Sequence, residues 1–130
     1  MNKILFGLLG AGVAVGVACS SEPTGNGNGC GGNGANVVVI TAHDNFTFTP
    51  PSVTVNAGQQ ICFQNLGSVV HTVDPDSVPQ DSIWFQNYGP SAALPPNLHY
   101  QITLPIGTYN YHCHIHGAPG VGMYGTIAVR

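Results

Sequence analysis

Charge is scarce in this sequence: its 130 residues include two Lys or Arg and five Asp or Glu. Lys3 lies at the extreme N-terminus, so beyond residue 18 Arg130 stands alone against Glu22, Asp44, Asp74, Asp76 and Asp81. A surface this poor in bases cannot neutralise a run of phosphates, which excludes nucleic acid as a partner. Docking with other proteins is left to apolar contact, with the aspartates between 74 and 81 as the exception. Helical periodicity is missing as well: no segment after residue 18 repeats apolar residues at three- and four-residue spacing, which argues against a helical domain. The long apolar run is confined to Ile4–Ala18, and it is short and glycine-rich for a membrane span.

That run, with Lys3 before it, reads instead as a secretion signal over residues 1–18. Its end, Gly16-Val17-Ala18-Cys19-Ser20-Ser21, is similar to a bacterial lipoprotein cleavage site at which Cys19 becomes the lipidated first residue. Gly16 departs from that pattern, which usually has Leu, Val or Ile there. Ordinary cleavage nearby, giving a freely soluble exported protein, is the alternative. Residues 19–36, rich in Gly, Asn and Ser, read as a flexible tether, because such a chain buries too little apolar area to offset its ordering entropy. Residues 37–130 form one small domain with little margin of stability. The expected location is the periplasm or cell surface, with membrane contact only through lipid at Cys19, and the expected state is a monomer.

Export permits disulfides. With Cys19 set aside, Cys30, Cys62 and Cys113 remain, so one thiol is free or bound to something. Cys62 has the opposite parity to Ile61 and Phe63 and is expected to face outward, within reach of Cys30 in the tether. A disulfide between them would pin the tether to the sheet; two free thiols are the alternative.

Alternation with period two predicts strands over 52–56, 60–65, 101–104, 108–113 and 126–129, and a β-branched run over 37–42 and a short apolar run over 69–73 predict two more. Pro50-Pro51, Ala57-Gly58, Leu66-Gly67 and Pro105-Ile106-Gly107 supply the turns between them. Short strands with turns at regular spacing predict an all-β sandwich. Asp74 to Asn97 breaks the rhythm as a long, proline-rich loop containing Trp84, Phe85 and Tyr88, aromatics expected to pack it onto the sandwich.

The chemistry lies in Tyr111-His112-Cys113-His114-Ile115-His116 and in Met123, seven residues beyond His116. Cys113 shares parity with Tyr109 and Tyr111 and so points inward. His112 and His114 point outward, and His116 can swing back toward Cys113 after the chain turns. A thiolate, imidazoles and a thioether favour copper; two His and one Cys with a weak axial Met define a blue-copper site. The second imidazole is His71, set in the apolar strand Val69-Val70-His71-Thr72-Val73, where a buried ring needs a partner.

Taken with Phe46-Thr47-Phe48-Thr49-Pro50, Phe63-Gln64-Asn65, His71-Thr72-Val73 and Gly107-Thr108-Tyr109, these residues resemble the plastocyanin and azurin family of cupredoxins across the whole domain. The resemblance implies a Greek-key sandwich with one Cu(I)/Cu(II) ion near one end, held by His71, Cys113 and His116, with Met123 axial. The loop from His116 to Met123 is longer than is typical, so a three-coordinate site or a backbone oxygen is the alternative to Met123. It further implies Asn65 and Thr72 as groups that lock the ligand loops. His116 would be the electron exit, ringed by Leu66, Ala118, Pro119 and Val121 for docking redox partners. The implied role is electron transfer, not catalysis. Three other sites use some of the same residues. A multicopper site built through His112 and His114 needs more histidines than the six present. Zinc at the same ligands would leave the Met idle. A periplasmic copper carrier or storage protein would use the same ligands, but the tether lacks a Met- or His-rich tract. His43 and His99 read as ordinary surface residues.

Overall fold

The computed structural model describes residues 30, 36–77, 84 and 91–130. The signal over 1–18, Cys19 and nearly all of the tether lie outside the described residues, as do Asp81, Phe85 and Tyr88.

Among the described residues, nine strands form the sandwich: β1 (Val37–His43), β2 (Thr47–Thr49), β3 (Ser52–Val55), β4 (Gln60–Asn65), β5 (His71–Pro75), β6 (Ala92–Leu94), β7 (His99–Ile102), β8 (Gly107–Ala118) and β9 (Val121–Val129). One sheet runs β2-β1-β4-β7, the other β3-β9-β8-β5-β6. β1 lies parallel to β4 and β3 parallel to β9; the remaining pairs are antiparallel. The chain passes repeatedly from one sheet to the other, as a Greek-key sandwich requires. The inner faces meet around Ile40, Phe48, Ile61, Phe63, Val73 and Ile127, all buried. Phe63 is the aromatic hinge of this core: its ring centroid lies 5.9 Å from Trp84, 5.3 Å from Tyr100 and 5.2 Å from Tyr111. Trp84 is thus packed onto the sandwich, as expected for its segment.

Several expectations need correction. The strands over 108–113 and 126–129 run further, as Gly107–Ala118 and Val121–Val129. The strand over 69–73 begins instead at His71 and runs to Pro75. The Asp44 carboxylate takes the backbone N–H of Ser68 and Val69, and Asn65 takes that of Gly67, so the preceding residues are committed to a loop. The strand over 101–104 starts earlier, at His99, where pairing with Gln64 begins, although Leu104 beyond its end is still buried. The long loop is not unbroken, since β6 lies within it and pairs with His71, Thr72 and Val73. Cys62 does leave the inner face, but it is wholly buried, because its disulfide to Cys30 brings that residue down over the sheet. The Cys30 N–H donates to Gln64 Oε1 at 2.9 Å, a second point of attachment.

Candidate metal centre

The site is built on an irregularity in the β8–β9 hairpin. Up to His112↔Tyr124 the two strands pair residue for residue, and pairing resumes at Gly117↔Gly122. Between those points, residues 113–116 of β8 face Met123 alone. An oversized bulge re-aims side chains that strict alternation would send to opposite faces. It turns both Cys113 and His116 toward one centre. The extra length after His116 is absorbed as hairpin: Gly117 and Ala118 pair with Gly122 and Val121, and Pro119-Gly120 closes the turn. Met123 therefore keeps a buried position across from the bulge.

His71 reaches the same centre from the first residue of β5 and is fully buried. Its Nδ1 lies 3.2 Å from His116 Nδ1, which lies 3.4 Å from Cys113 Sγ. All three donor atoms fall within 4.8 Å of one another. Metal–nitrogen and metal–sulfur bonds of about 2.0–2.3 Å place an ion comfortably between donors at such separations. A thiolate with two imidazoles is also the soft donor set that selects copper. Burial, and after it the nearby His116 ring, pushes the pKa of His71 below its ordinary value, so the neutral, metal-ready form is favoured. Its Nε2 is buried with no hydrogen-bond partner among the described residues. Holding the ring thus depends on what its Nδ1 meets.

Asn65 and Thr72 both make hydrogen bonds beside the three donors. Asn65 Nδ2 donates to Val69 O at 2.7 Å and Leu94 O at 2.9 Å, tying the loop before His71 to β6. The Thr72 N–H donates to Cys113 Sγ at 3.3 Å, which fixes the direction of the sulfur.

His112 and His114 do not project freely, as outward parity suggested. His112 is largely buried, with Nδ1 2.6 Å from Asp76 Oδ1. His114 is exposed, but its Nδ1 is in close contact with Asp74 Oδ2, and Thr72 Oγ1 lies 3.2 Å away. Two of the aspartates that seemed free to dock a partner are thereby occupied, because β5 runs alongside β8 with Asp74 opposite His112. Among the described residues neither histidine joins a third ligand-bearing group. His43 and His99 are half-buried rather than fully on the surface. Leu66, Ala118, Pro119 and Val121 are all exposed, as expected.

Two contacts escaped the sequence reading. Phe46 stacks on His116, with ring centroids 4.4 Å apart and planes at 20°. Asp44 accepts from the Ser68 and Val69 backbone, and those bonds hold its carboxyl below its ordinary pKa. The signal for Asp44 was its place in a short polar turn, where Asp favours backbone hydrogen bonds.

A profile of the family described as copper binding proteins, plastocyanin/azurin family, matches residues 35–130. Plastocyanin A/B of Petroselinum crispum is 34% identical over 86 residues, covering 64% of this chain and 87% of its own. The chloroplastic plastocyanin of Silene latifolia subsp. alba is 28% identical over 121 residues, covering 89% of this chain and 72% of its own. Among solved structures, an oxidized amicyanin mutant superposes with a TM-score of 0.55 at 19% identity, covering 72% of this chain and 82% of that one. A purple cupredoxin from Nitrosopumilus maritimus does so with a TM-score of 0.52 at 19% identity, covering 71% and 98%. These structural likenesses bear on the fold.

Proposed function

The chain belongs to the plastocyanin/azurin family of copper-binding proteins, and from that premise we propose that it is an exported carrier of single electrons, its copper held by His71, Cys113 and His116 with Met123 as a weak fourth ligand. The observation that carries this reading is the convergence of one buried thiol and two imidazole Nδ1 atoms at a bulge made for it. Bound there, copper supplies a one-electron change between Cu(I) and Cu(II).

The protein's part is to hold the donors still and to choose the way in. Cys113, His71 and Met123 are buried, whereas His116 is half-exposed, so His116 offers the contact with solvent and partner. Leu66, Ala118, Pro119 and Val121 would give a redox partner an apolar footing beside it, in keeping with the shortage of charge elsewhere. Met123, the sole β9 residue facing the bulge, is well placed to tune the potential without deciding whether the ion binds. Export and a lipid at Cys19 would put this chemistry at the outer side of a bacterial membrane.

Voltammetry of the copper-loaded protein tests the role. A carrier cycles reversibly without losing its ion, and Met123→Leu shifts the potential while the thiolate colour persists. Rapid release of Cu(I) to a metal-free acceptor, with poor reversibility, would favour a copper carrier or store instead.

A further inference from the structure

We propose that the turn between β1 and β2 is a positioning clamp for both imidazoles of the site, with the Asp44 carboxylate fixing the loop that leads into His71 and the Phe46 ring fixing His116 face-on. The inference deepens the copper reading and rests on His71 and His116 as ligands.

The Phe46 arm begins with a conformational oddity. Phe46 has φ of 63°, a left-handed conformation that bulky side chains seldom adopt. The residue is also 48% exposed, so burial does not compensate. The turn itself is held by the Phe46 N–H donating to His43 O at 3.0 Å. What the unusual backbone achieves is a nearly parallel stack on the His116 ring. His116 sits in the bulge, outside regular pairing, where the ladder does not restrain its ring. A flat aromatic face against one side limits its rotation and keeps Nδ1 aimed at Cys113 and His71.

The Asp44 arm acts two residues earlier in the same turn. Asp44 accepts from Ser68 N at 2.9 and 3.1 Å, Ser68 Oγ at 2.9 Å and Val69 N at 3.1 Å. This approach depends on Gly67, where an added Cβ would lie 2.0 Å from Asp44 Oδ1. Asn65 grips the same loop from the other side through Val69 O. The chain enters β5 at His71 directly afterwards, so the direction of that imidazole is set by a loop with little freedom. Because both arms spring from one short turn, the spacing of the two rings is fixed by a single rigid segment. Ligands held in this way by neighbours outside the site move little when the ion changes charge.

The first stage of the test uses metal-free protein and does not depend on copper. Histidine side-chain NMR should show His116 ring protons displaced by the Phe46 ring current and cross-relaxing with that ring. Phe46→Leu should abolish the displacement, Phe46→Tyr should retain it, and Asp44→Ala should speed amide exchange at Ser68 and Val69. Asp44→Asn, which keeps one acceptor oxygen, substitutes should the alanine variant not fold. The second stage uses copper-loaded protein and reads the width of the Cu(II) hyperfine lines and the rate of copper loss to a chelator. Phe46→Leu should broaden the lines and speed loss roughly three- to tenfold, the equivalent of one aromatic stacking contact. Phe46→Tyr should match wild type, because the flat face remains. Unchanged line widths and loss rates in Phe46→Leu and Asp44→Ala would overturn the clamp, as would metal-free wild type with no Phe46–His116 ring-current signature. Wild type that keeps the NMR signatures yet binds no copper would count against the copper reading and still support the clamp.

Discussion

Replacing Tyr111 with Phe removes one oxygen from the middle of the sandwich and is predicted to stabilise the protein. The Tyr111 hydroxyl is buried and has no hydrogen-bond partner among the described residues. Burial pushes its pKa well above the ordinary tyrosine value, as expected for a group whose charged form finds no solvation. The ring is edge-on to Phe48 at 5.0 Å and to Phe63 at 5.2 Å, and both contacts survive loss of the oxygen. An unpaired buried hydroxyl costs about 1–3 kcal/mol, and the small void left by one oxygen returns part of that. The net expectation is a gain of about 1 kcal/mol, or roughly 4–8 °C in Tm for a domain of this size. Gly125, directly opposite Tyr111 in the ladder, supplies the control. A Cβ there would lie 2.3 Å from the hydroxyl, 2.4 Å from Tyr111 Cζ and 2.8 Å from Pro51 O. Gly125→Ala should therefore cost about 1–3 kcal/mol by overpacking. Tyr111→Phe should relieve only part of that cost, since Cζ and the Pro51 carbonyl remain. Urea unfolding of the metal-free single and double variants measures all of these. A loss of about 1 kcal/mol or more in Tyr111→Phe would show instead that the hydroxyl is hydrogen-bonded.

Replacing Cys30 and Cys62 together by Ala opens a covalent link between residues 32 apart in sequence; the chain-entropy relation puts the cost at about 3–4 kcal/mol, read from the urea midpoint. Metal-free protein should lose stability as pH falls below 6.5, because the lowered pKa of His71 means that the unfolded chain takes up its proton first. That contribution is complete above 6.5, and His71→Gln should flatten this part of the pH profile. Asp44, also lowered, adds a separate loss below 3.8, as its carboxylate is protonated and releases Ser68 and Val69. Cys19→Ala should move the protein from the membrane fraction to the soluble fraction; an unchanged distribution would exclude lipid at that residue as the anchor.

Much of the sandwich was legible because the strand period is strict. Ser52–Val55 and Gln60–Asn65 lie in strands essentially as alternation predicts, and Val37–Ala42 does so as its β-branched run predicts. Parity also placed Tyr111 and Cys113 inside. It failed where side chains from distant strands decide the backbone. The start of β5 is set by Asn65 and Asp44, which claim the preceding N–H groups, and Asp44 lies 25 residues from Val69 in sequence. Cys62 followed parity as to face but not as to burial, since the residue covering it is 32 positions away. For the site, donor chemistry and spacing pointed to His71, Cys113 and His116, and the fold brings these three together. The four-against-one bulge that does so has no local signature, because it depends on where β9 resumes pairing. Nor does the sequence reveal that His112 and His114 meet Asp76 and Asp74, as the register of β5 against β8 creates those pairs.

Whether the Cys113 sulfur and the two imidazoles share one copper ion is read from the visible and paramagnetic spectra of copper-loaded protein. Wild type should be intensely blue or green with narrow Cu(II) hyperfine splitting, and Cys113→Ser should lose the colour. A colourless Cu(II) protein with ordinary wide splitting, or a colour that survives Cys113→Ser, would contradict it.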